Sequence, residues 1–161
     1  MKHIKFQQNL LKMADARDGW KHKPCNLPWF ETDDRIWICP GGVLCVGILK
    51  SQFYLDKEKI FKDSQPLTNG KKIIDFGRDA NEAVDTHITM NVKVKGVKMT
   101  LHKFTAKDET IYVDEQLLKD FELDISHFTG TNTRNPLYVW EDDEIVGVVY
   151  PVNHKDGDSN A

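Results

Sequence analysis

The sequence predicts a single α+β domain of antiparallel hairpins with short helices. Alternating apolar residues are interrupted by glycine turns at 40–42 and 95–96, as β-hairpins require. A second pattern occurs twice, at 53–56 and 111–114: an apolar–Tyr–apolar triplet, which predicts a short strand, and an Asp precede a helix-like stretch. With 161 residues, 40% of them hydrophobic, the chain can bury one core. We therefore expect one domain over 1–153.

The amino-terminal part predicts a strand followed by a helix and a loop. Alternation at Ile4 and Phe6 predicts a short strand, and apolar residues at helical spacing then predict an amphipathic helix ending near Gly19. Two prolines make residues 20–28 a packed, irregular loop. At the other end, 154–161 has no apolar residue except its final alanine, which predicts a flexible tail.

The first hairpin pairs residues 35–39 with 43–49. Both segments are apolar at odd and even positions, so both faces of this hairpin should be covered. After the first Tyr-Asp segment, 64–70 has loop composition. Residues 73–84 fit either a strand with a turn or a weak helix, because Gly77 disfavours a continuous helix.

The second hairpin has a definite predicted register. With a two-residue turn at Lys95 and Gly96, Val94 lies opposite Val97. Counting outward from the turn, Val92 lies opposite Met99, and Met90 lies opposite Leu101. These pairs predict one apolar face and one polar, basic face.

The last third of the chain predicts one more helix and a closing hairpin. Each Tyr-Asp segment ends in an Asp that can cap the following helix. Residues 124–133 form a polar connection, and the final hairpin pairs 137–140 with 145–150 around a turn at 141–144.

Charge and cysteine content exclude several protein classes. A formal charge of −3 and a pI near 6.1 disfavour a protein that coats nucleic acid. The chain has no apolar run of about 18 residues and no signal-peptide pattern, so we expect a cytoplasmic protein without a membrane segment. Cys25, Cys39 and Cys45 form no CxxC pair and are predicted to be free thiols. We expect no cofactor.

The polar face of the second hairpin is the first candidate binding surface. It carries Lys93, Lys95 and Lys98, and the register places Lys93 opposite Lys98. Because like charges across strands are destabilising, the pair suggests an acidic partner or phosphate; the simpler alternative is a solvated face or a protected strand edge. His102 is assigned to the same surface, with Lys103 and Lys107 close behind in sequence.

The acidic turn at 141–144 is the second candidate surface. Trp140 beside Asp142 and Asp143 suggests a protein-facing or DNA-mimicking surface, since aromatic residues are enriched at interfaces. Asp33 with Asp34, or the turn itself, could instead hold a metal ion, although turns favour Asp for local hydrogen bonds. The histidines and cysteines lack metal-ligand spacing, so no metal site and no catalytic residue are predicted.

The order of elements and three pairs of segments resemble one known family. The first pair is a strand at 111–114 and the helix that contains Leu117 and Leu118. The second is two closing strands, 135–139 and 145–152, the latter with a proline near its end. The third is a strand at 32–38 with a glycine turn at 40–42. On these segments the chain is similar to a DNA sliding-clamp domain of phage or mobile-element type. The resemblance implies a pseudo-repeat of two halves, each combining a helix with antiparallel strands.

Together these features predict a non-catalytic binding protein of phage or mobile-element type that docks on a nucleic-acid-processing machine. Two alternatives stay open: a phage-encoded, anti-CRISPR-like inhibitor of a host defence nuclease, and a metal-dependent hydrolase centred on the acidic pairs. The expected partner is a protein, in a nucleic-acid-processing or nuclease complex, and no membrane is expected as a partner; contact with nucleic acid is possible but not general. Self-association is also open.

Overall fold

The computed structural model describes residues 5–12, 27–40, 43–119 and 125–153. The chain divides into two compact units, 1–75 and 76–161, which are described separately below. Nine strands with antiparallel pairings and a few short helices make the described residues α+β, mostly sheet. Within the described ranges, no helix has both the length and the apolar character needed to cross a membrane.

The first unit contains a three-stranded antiparallel meander and short helices. Its elements are helix α1 at 5–12, β1 (Trp29–Glu31), β2 (Arg35–Ile38), β3 (Leu44–Leu49), a 3-10 turn (Lys50–Gln52) and α2 (Lys57–Ile60). Helix α3 (Gly70–Arg78) follows, and its residues 76–78 belong to the second unit. Strands β2 and β3 are buried on both faces except at Leu49, which confirms the covered first hairpin.

Aromatic residues form much of the core of the first unit. Trp37 is fully buried, stacks on Phe30 with ring centroids 5.5 Å apart, and donates a hydrogen bond from Nε1 to Thr32 Oγ1. Trp29 stacks on Phe61 at 4.4 Å and is half-buried. These contacts place Trp37 in the core and Trp29 at its border.

The second unit is a six-stranded antiparallel sheet. Its strands are β4 (Asn81–Val94), β5 (Val97–Ala106), β6 (Glu109–Asp114), β7 (His127–Gly130), β8 (Leu137–Glu141) and β9 (Glu144–Val149). They lie in the order β9-β8-β7-β4-β5-β6, and helix α4 (Glu115–Lys119) follows β6. The predicted register of the second hairpin is confirmed at all three pairs, and the closing hairpin is also confirmed.

Several predicted elements are wrong. Phe6 lies in helix α1 rather than in a strand, and the expected helix end near Gly19 lies outside the described residues. Residues 73–84, which fitted either a strand or a weak helix, contain both: helix α3 runs through Gly77 to Arg78, and strand β4 begins at Asn81. Strand β7 lies in the predicted polar connection, because Phe128 and Thr129 pair with β4 and β8.

The two Tyr-Asp segments share a helix cap but not a strand. Asp56 Oδ1 accepts a hydrogen bond from Lys59 N at the start of α2, and Asp114 Oδ1 accepts one from Gln116 N at α4. Tyr112 is 2% exposed in β6, whereas Tyr54 is 46% exposed and outside any strand. The predicted first strand is therefore wrong, while the clamp-like pseudo-repeat and the single domain over 1–153 stay predictions. The predicted tail, 154–161, lies outside the described residues.

Candidate functional site

The distal part of the β4–β5 hairpin carries the predicted basic residues. Beyond Ala83, β4 pairs only with β5 among the described residues, and β6 pairs with β5 from Leu101 onward. Lys95 and Gly96 form the turn with φ values of 50° and 82°, as a type I′ hairpin turn requires. The hairpin therefore ends in a two-stranded ribbon with a well-defined turn.

One face of this ribbon is a ladder of polar cross-strand pairs. We call it the polar face, and its pairs are Lys93–Lys98, Asn91–Thr100 and Thr89–His102. Thr100 Oγ1 donates to Asn91 Oδ1 at 2.9 Å, which fixes the central pair.

The lysines of the hairpin are placed as the sequence predicted. Lys93, Lys95 and Lys98 are exposed, and none forms an ion pair with any residue that the structure describes. Lys103 is different: it pairs with Ile88 and lies on the opposite face, while Lys107 lies in the β5–β6 turn. The basic surface is thus smaller than the sequence suggested.

The opposite face of the ribbon is anchored in a small core. Val92, Leu101 and Tyr112 are buried there, with Met99 and Val152 packed against them. In addition, the backbone N–H of Val152 donates to the carbonyl of Tyr112 at 2.7 Å. This confirms the predicted apolar face and explains why the polar face points to solvent.

His102 lies between two carboxylates at the inner end of the polar face. Its Nε2 is 2.5 Å from Asp85 Oδ1, and its Nδ1 is 3.9 Å from Glu115 Oε1. The ring stacks on buried Phe104, and its side chain is only 14% exposed. Unlike the three exposed lysines, His102 is therefore largely inaccessible, and we assign it to the support of the polar face.

Partial burial of Asp85 raises its pKa, but hydrogen bonds outweigh this effect. The His102 ring and the backbone N–H of His87 stabilise the carboxylate, and the resulting pKa of Asp85 is lowered from its ordinary value. Asp85 therefore remains ionised beside His102 at neutral pH.

A bulge in β4 presents a second histidine next to Asp85. The register shifts between Asp85 and Ile88, so two extra residues, Thr86 and His87, are accommodated there. Asp85 Oδ1 accepts from His87 N at 2.7 Å, and Thr86 Oγ1 donates to the Lys103 carbonyl at 2.7 Å. His87 has a φ of 58° and a highly exposed side chain. No residue spacing in the sequence pointed to this bulge.

The acidic turn lies on a separate hairpin, β8–β9, and is held by Ser126. Asp142 N donates to Ser126 Oγ at 3.0 Å, and Ser126 N donates to the Trp140 carbonyl at 2.8 Å. Trp140 stacks on His127 at 5.0 Å. The structure thus brings Trp140, Asp142 and Asp143 together, but on a different hairpin from the lysines.

The alternative chemical sites find little support in the geometry. Among the residues that the structure describes, no group of three or more His, Cys, Asp or Glu side chains could hold a metal ion. Cys39 and Cys45 are buried, and their mutual hydrogen bond and burial raise the pKa of the Cys39 thiol. That thiol is therefore held in its protonated, weakly nucleophilic form. Cys25 lies outside the described residues.

No protein-family model, curated protein or solved structure matches this chain. Its function is therefore inferred from the geometry and charge of the second unit.

Proposed function

We propose that this protein is a non-catalytic binding protein that docks on an acidic protein surface through the polar face of the β4–β5 hairpin. The observation that carries this proposal is the direct cross-strand position of Lys93 and Lys98, both exposed. Like charges at such positions are destabilising, by an amount within the roughly 0.2–1 kcal/mol range of cross-strand pairs. Carboxylates of an acidic partner would neutralise the repulsion between the two lysines. The positive charge of the lysines would also attract such a partner.

The features of the polar face favour a protein partner over nucleic acid. Single-stranded nucleic acids are usually bound by exposed aromatic rings on which bases stack. The polar face has no Phe, Tyr or Trp, and the ring of His102 is already stacked on Phe104. The net charge of −3 also opposes general attraction to a polyanion.

The biological setting proposed is a nucleic-acid-processing machine of a phage or mobile element, supported by the resemblance of the strand segments to sliding-clamp domains. An inhibitor of a defence nuclease is the second candidate. The exposed Asp142 and Asp143, fixed by Ser126, favour it because a rigid acidic turn can compete with nucleic acid for a basic channel.

The proposal is tested by NMR titration with a heptaglutamate peptide at low ionic strength. We expect the peptide to shift the backbone amides of 91–100, and these shifts to disappear in the variant Lys93→Glu/Lys95→Glu/Lys98→Glu. A matched control, Lys62→Glu/Lys71→Glu/Lys72→Glu, changes the net charge equally at exposed positions elsewhere and should keep the shifts.

Two results would contradict the proposal. One is the absence of localised shifts, or their persistence in the Lys93/Lys95/Lys98 variant. The other is tighter binding of a short DNA duplex than of the peptide at the same salt concentration, which would assign the polar face to nucleic acid.

A further inference from the structure

One sheet face of the second unit is covered only at its two sides by the residues that the structure describes there, 76–119 and 125–153. At one side, α3 packs on β8: Gly77 lies against the ring of Tyr138, and Thr129 Oγ1 donates to the Gly77 carbonyl at 3.0 Å. At the other side, Val152 packs against the core that contains Tyr112. The middle of the face lies between these two contacts.

Four side chains define this middle part, which we call the uncovered face: Trp140, His127, Val84 and Ile88. Trp140 and His127 are cross-strand partners. Ala83 of β4 pairs with Phe128 of β7, and both side chains point to the opposite side of the sheet from Trp140. Val84 follows Ala83 and His127 precedes Phe128, so both Val84 and His127 lie on the same face as Trp140.

The bulge in β4 does not reverse this arrangement. Val84 pairs with Thr105 and Ile88 with Lys103, and Thr105 and Lys103 are two residues apart on β5. Ile88 therefore lies on the same face as Val84. The two extra residues of the bulge preserve the alternation.

The uncovered face exposes large apolar side chains of β4. Val84 is 55% exposed and Ile88 is 50% exposed, at positions where, among the described residues, β4 pairs with β5 alone. Antiparallel sheets often present polar residues on a solvated face. Grouped apolar and aromatic side chains on such a face are typical of a binding surface.

The charged residues around the uncovered face are mostly acidic, so they favour a partner with basic side chains. The cross-strand pair Glu141 and Glu144 lies one step beyond Trp140 and therefore points to the other face of the sheet, but the turn that joins them follows Trp140 directly. Asp142 and Asp143 between them are exposed and form no ion pair with a described residue. Glu82 is exposed on the same face, while Lys103 lies at the far end, opposite Ile88.

We infer that the uncovered face binds a partner-protein segment that carries Arg or Lys next to apolar side chains. The cation is placed at the acidic turn and over the Trp140 ring, where carboxylates and the indole π-system both attract it. The apolar side chains of the segment cover Val84 and Ile88. This surface is independent of the polar face, which lies on the other side of the sheet and has the opposite charge.

The site is held in place before the partner arrives. Trp140 Nε1 donates to Thr129 Oγ1 at 2.9 Å, and the ring is stacked on His127. Ser126 holds the backbone of the turn at both Trp140 and Asp142. Such fixed side chains lower the conformational entropy that binding would otherwise cost.

The test uses two synthetic nonapeptides, one alternating Arg with Leu and one alternating Glu with Leu. The reporter is the Nε1–H resonance of Trp140, assigned with the variant Trp140→Phe. We expect the Arg/Leu peptide to shift this resonance and the Glu/Leu peptide to leave it unchanged. The variant Asp142→Asn/Asp143→Asn should weaken binding by about fivefold or more.

A matched control changes the same charges in the first unit. Asp33→Asn/Asp34→Asn alters two exposed neighbouring residues and should leave the Arg/Leu affinity unchanged. Asn tolerates the φ of 54° at position 142, so the Asp142 variant should keep its turn. Val84→Thr/Ile88→Thr should also weaken binding, because it removes apolar area without changing charge.

Three outcomes would overturn the inference. The first is no shift of the Trp140 resonance with the Arg/Leu peptide, and the second is an equal affinity in the Asp142/Asp143 variant and the wild type. The third is a shift that follows protein concentration without peptide, which would assign the face to a second copy of this chain. Charge reversal at Lys93, Lys95 and Lys98 abolishes only the proposed binding of heptaglutamate, so failure of either proposal can be recognised separately.

Discussion

Lys93 and Lys98 lie directly opposite each other across the β4–β5 ladder. The same unit contains the reverse arrangement, since Glu141 and Glu144 face each other across β8 and β9. The lysine pair sets like charges at adjacent positions, which costs stability in the isolated chain. This pair is better explained by an acidic partner than by the stability of the unit.

Replacing one lysine of the pair should stabilise the isolated protein. Lys98→Glu turns the repulsive pair with Lys93 into an attractive one, and we expect the free energy of unfolding to rise by about 0.2–1 kcal/mol. Urea denaturation at low ionic strength measures this change. Lys62→Glu, at an exposed position outside the sheet, serves as the control and should change stability by less than about 0.5 kcal/mol. A less stable Lys98→Glu variant would show that the pair is not repulsive.

The hairpins could be predicted from sequence because their signals are local. Alternation around Lys95 and Gly96 fixes both the turn and the register of β4 and β5. Helix α3 was harder to predict from the sequence, because glycine is unfavourable in a helix. Glycine is needed at position 77 because it allows close contact with the Tyr138 ring. Strand β7 (His127–Gly130) is short, and it is defined by pairing with two strands rather than by its own pattern.

The surroundings of His102 could not be predicted for a different reason. Asp85 and His102 are 17 residues apart, and only the β4–β5 pairing brings them together. Glu115 joins them because α4 follows β6, the next strand of the meander. The bulge at Thr86 and His87 adds a positive φ that no turn residue in the sequence announces. Lys93, Lys95 and Lys98 were identified because a hairpin register was enough to place them.

The lowered pKa of Asp85 predicts a dependence of stability on acidic pH. An unfolded Asp has a pKa of about 3.9, so a lower folded value contributes stability that is complete above that pH. This contribution is lost as the pH falls from about 4 through the folded pKa of Asp85. We therefore expect the stability difference between wild type and Asp85→Asn to shrink below about pH 4 in thermal denaturation between pH 3 and 6.

The control for this pH dependence is Asp108→Asn, in the exposed β5–β6 turn. Asp108 forms no ion pair with a described residue, so its variant should follow the wild-type pH profile more closely. An Asp85→Asn variant whose stability difference is constant between pH 3 and 6 would contradict the role given to the hydrogen bonds of Asp85.

The hydroxyl of Thr129 connects the Trp140 side chain to helix α3. Its Oγ1 accepts a hydrogen bond from Trp140 Nε1 at 2.9 Å and donates one to the Gly77 carbonyl at 3.0 Å. Thr129→Val keeps the shape but removes the acceptor of Trp140 Nε1, while the Gly77 carbonyl still accepts from Ala80 N at 3.4 Å. An unsatisfied buried group costs about 1–3 kcal/mol. We expect a clear loss in the free energy of unfolding by urea denaturation.

Thr110→Val is the matched comparison for Thr129→Val. Thr110 lies in β6, and its hydroxyl forms no hydrogen bond with the described residues. Because Val is also a good strand former, this variant should be neutral or slightly stabilising. Equal stabilities of the two variants would mean that solvent or side-chain movement replaces the hydrogen bonds of Thr129.

At position 77, helix propensity and packing have opposite effects on the free energy of unfolding when Gly is replaced by Ala. Gly77→Ala should favour the helix by up to about 1 kcal/mol, the value for a helix interior, but a Cβ at this position would overlap Cδ1 of the buried Tyr138 ring. Overpacking of this kind costs about 1–3 kcal/mol, so we expect a net loss of up to about 2 kcal/mol. A double-mutant cycle with Tyr138→Leu tests the cause, because the smaller side chain should reduce the cost of Gly77→Ala, whereas Tyr138→Phe should not. A Gly77→Ala variant that is more stable than wild type would show that α3 can move away from β8 without cost.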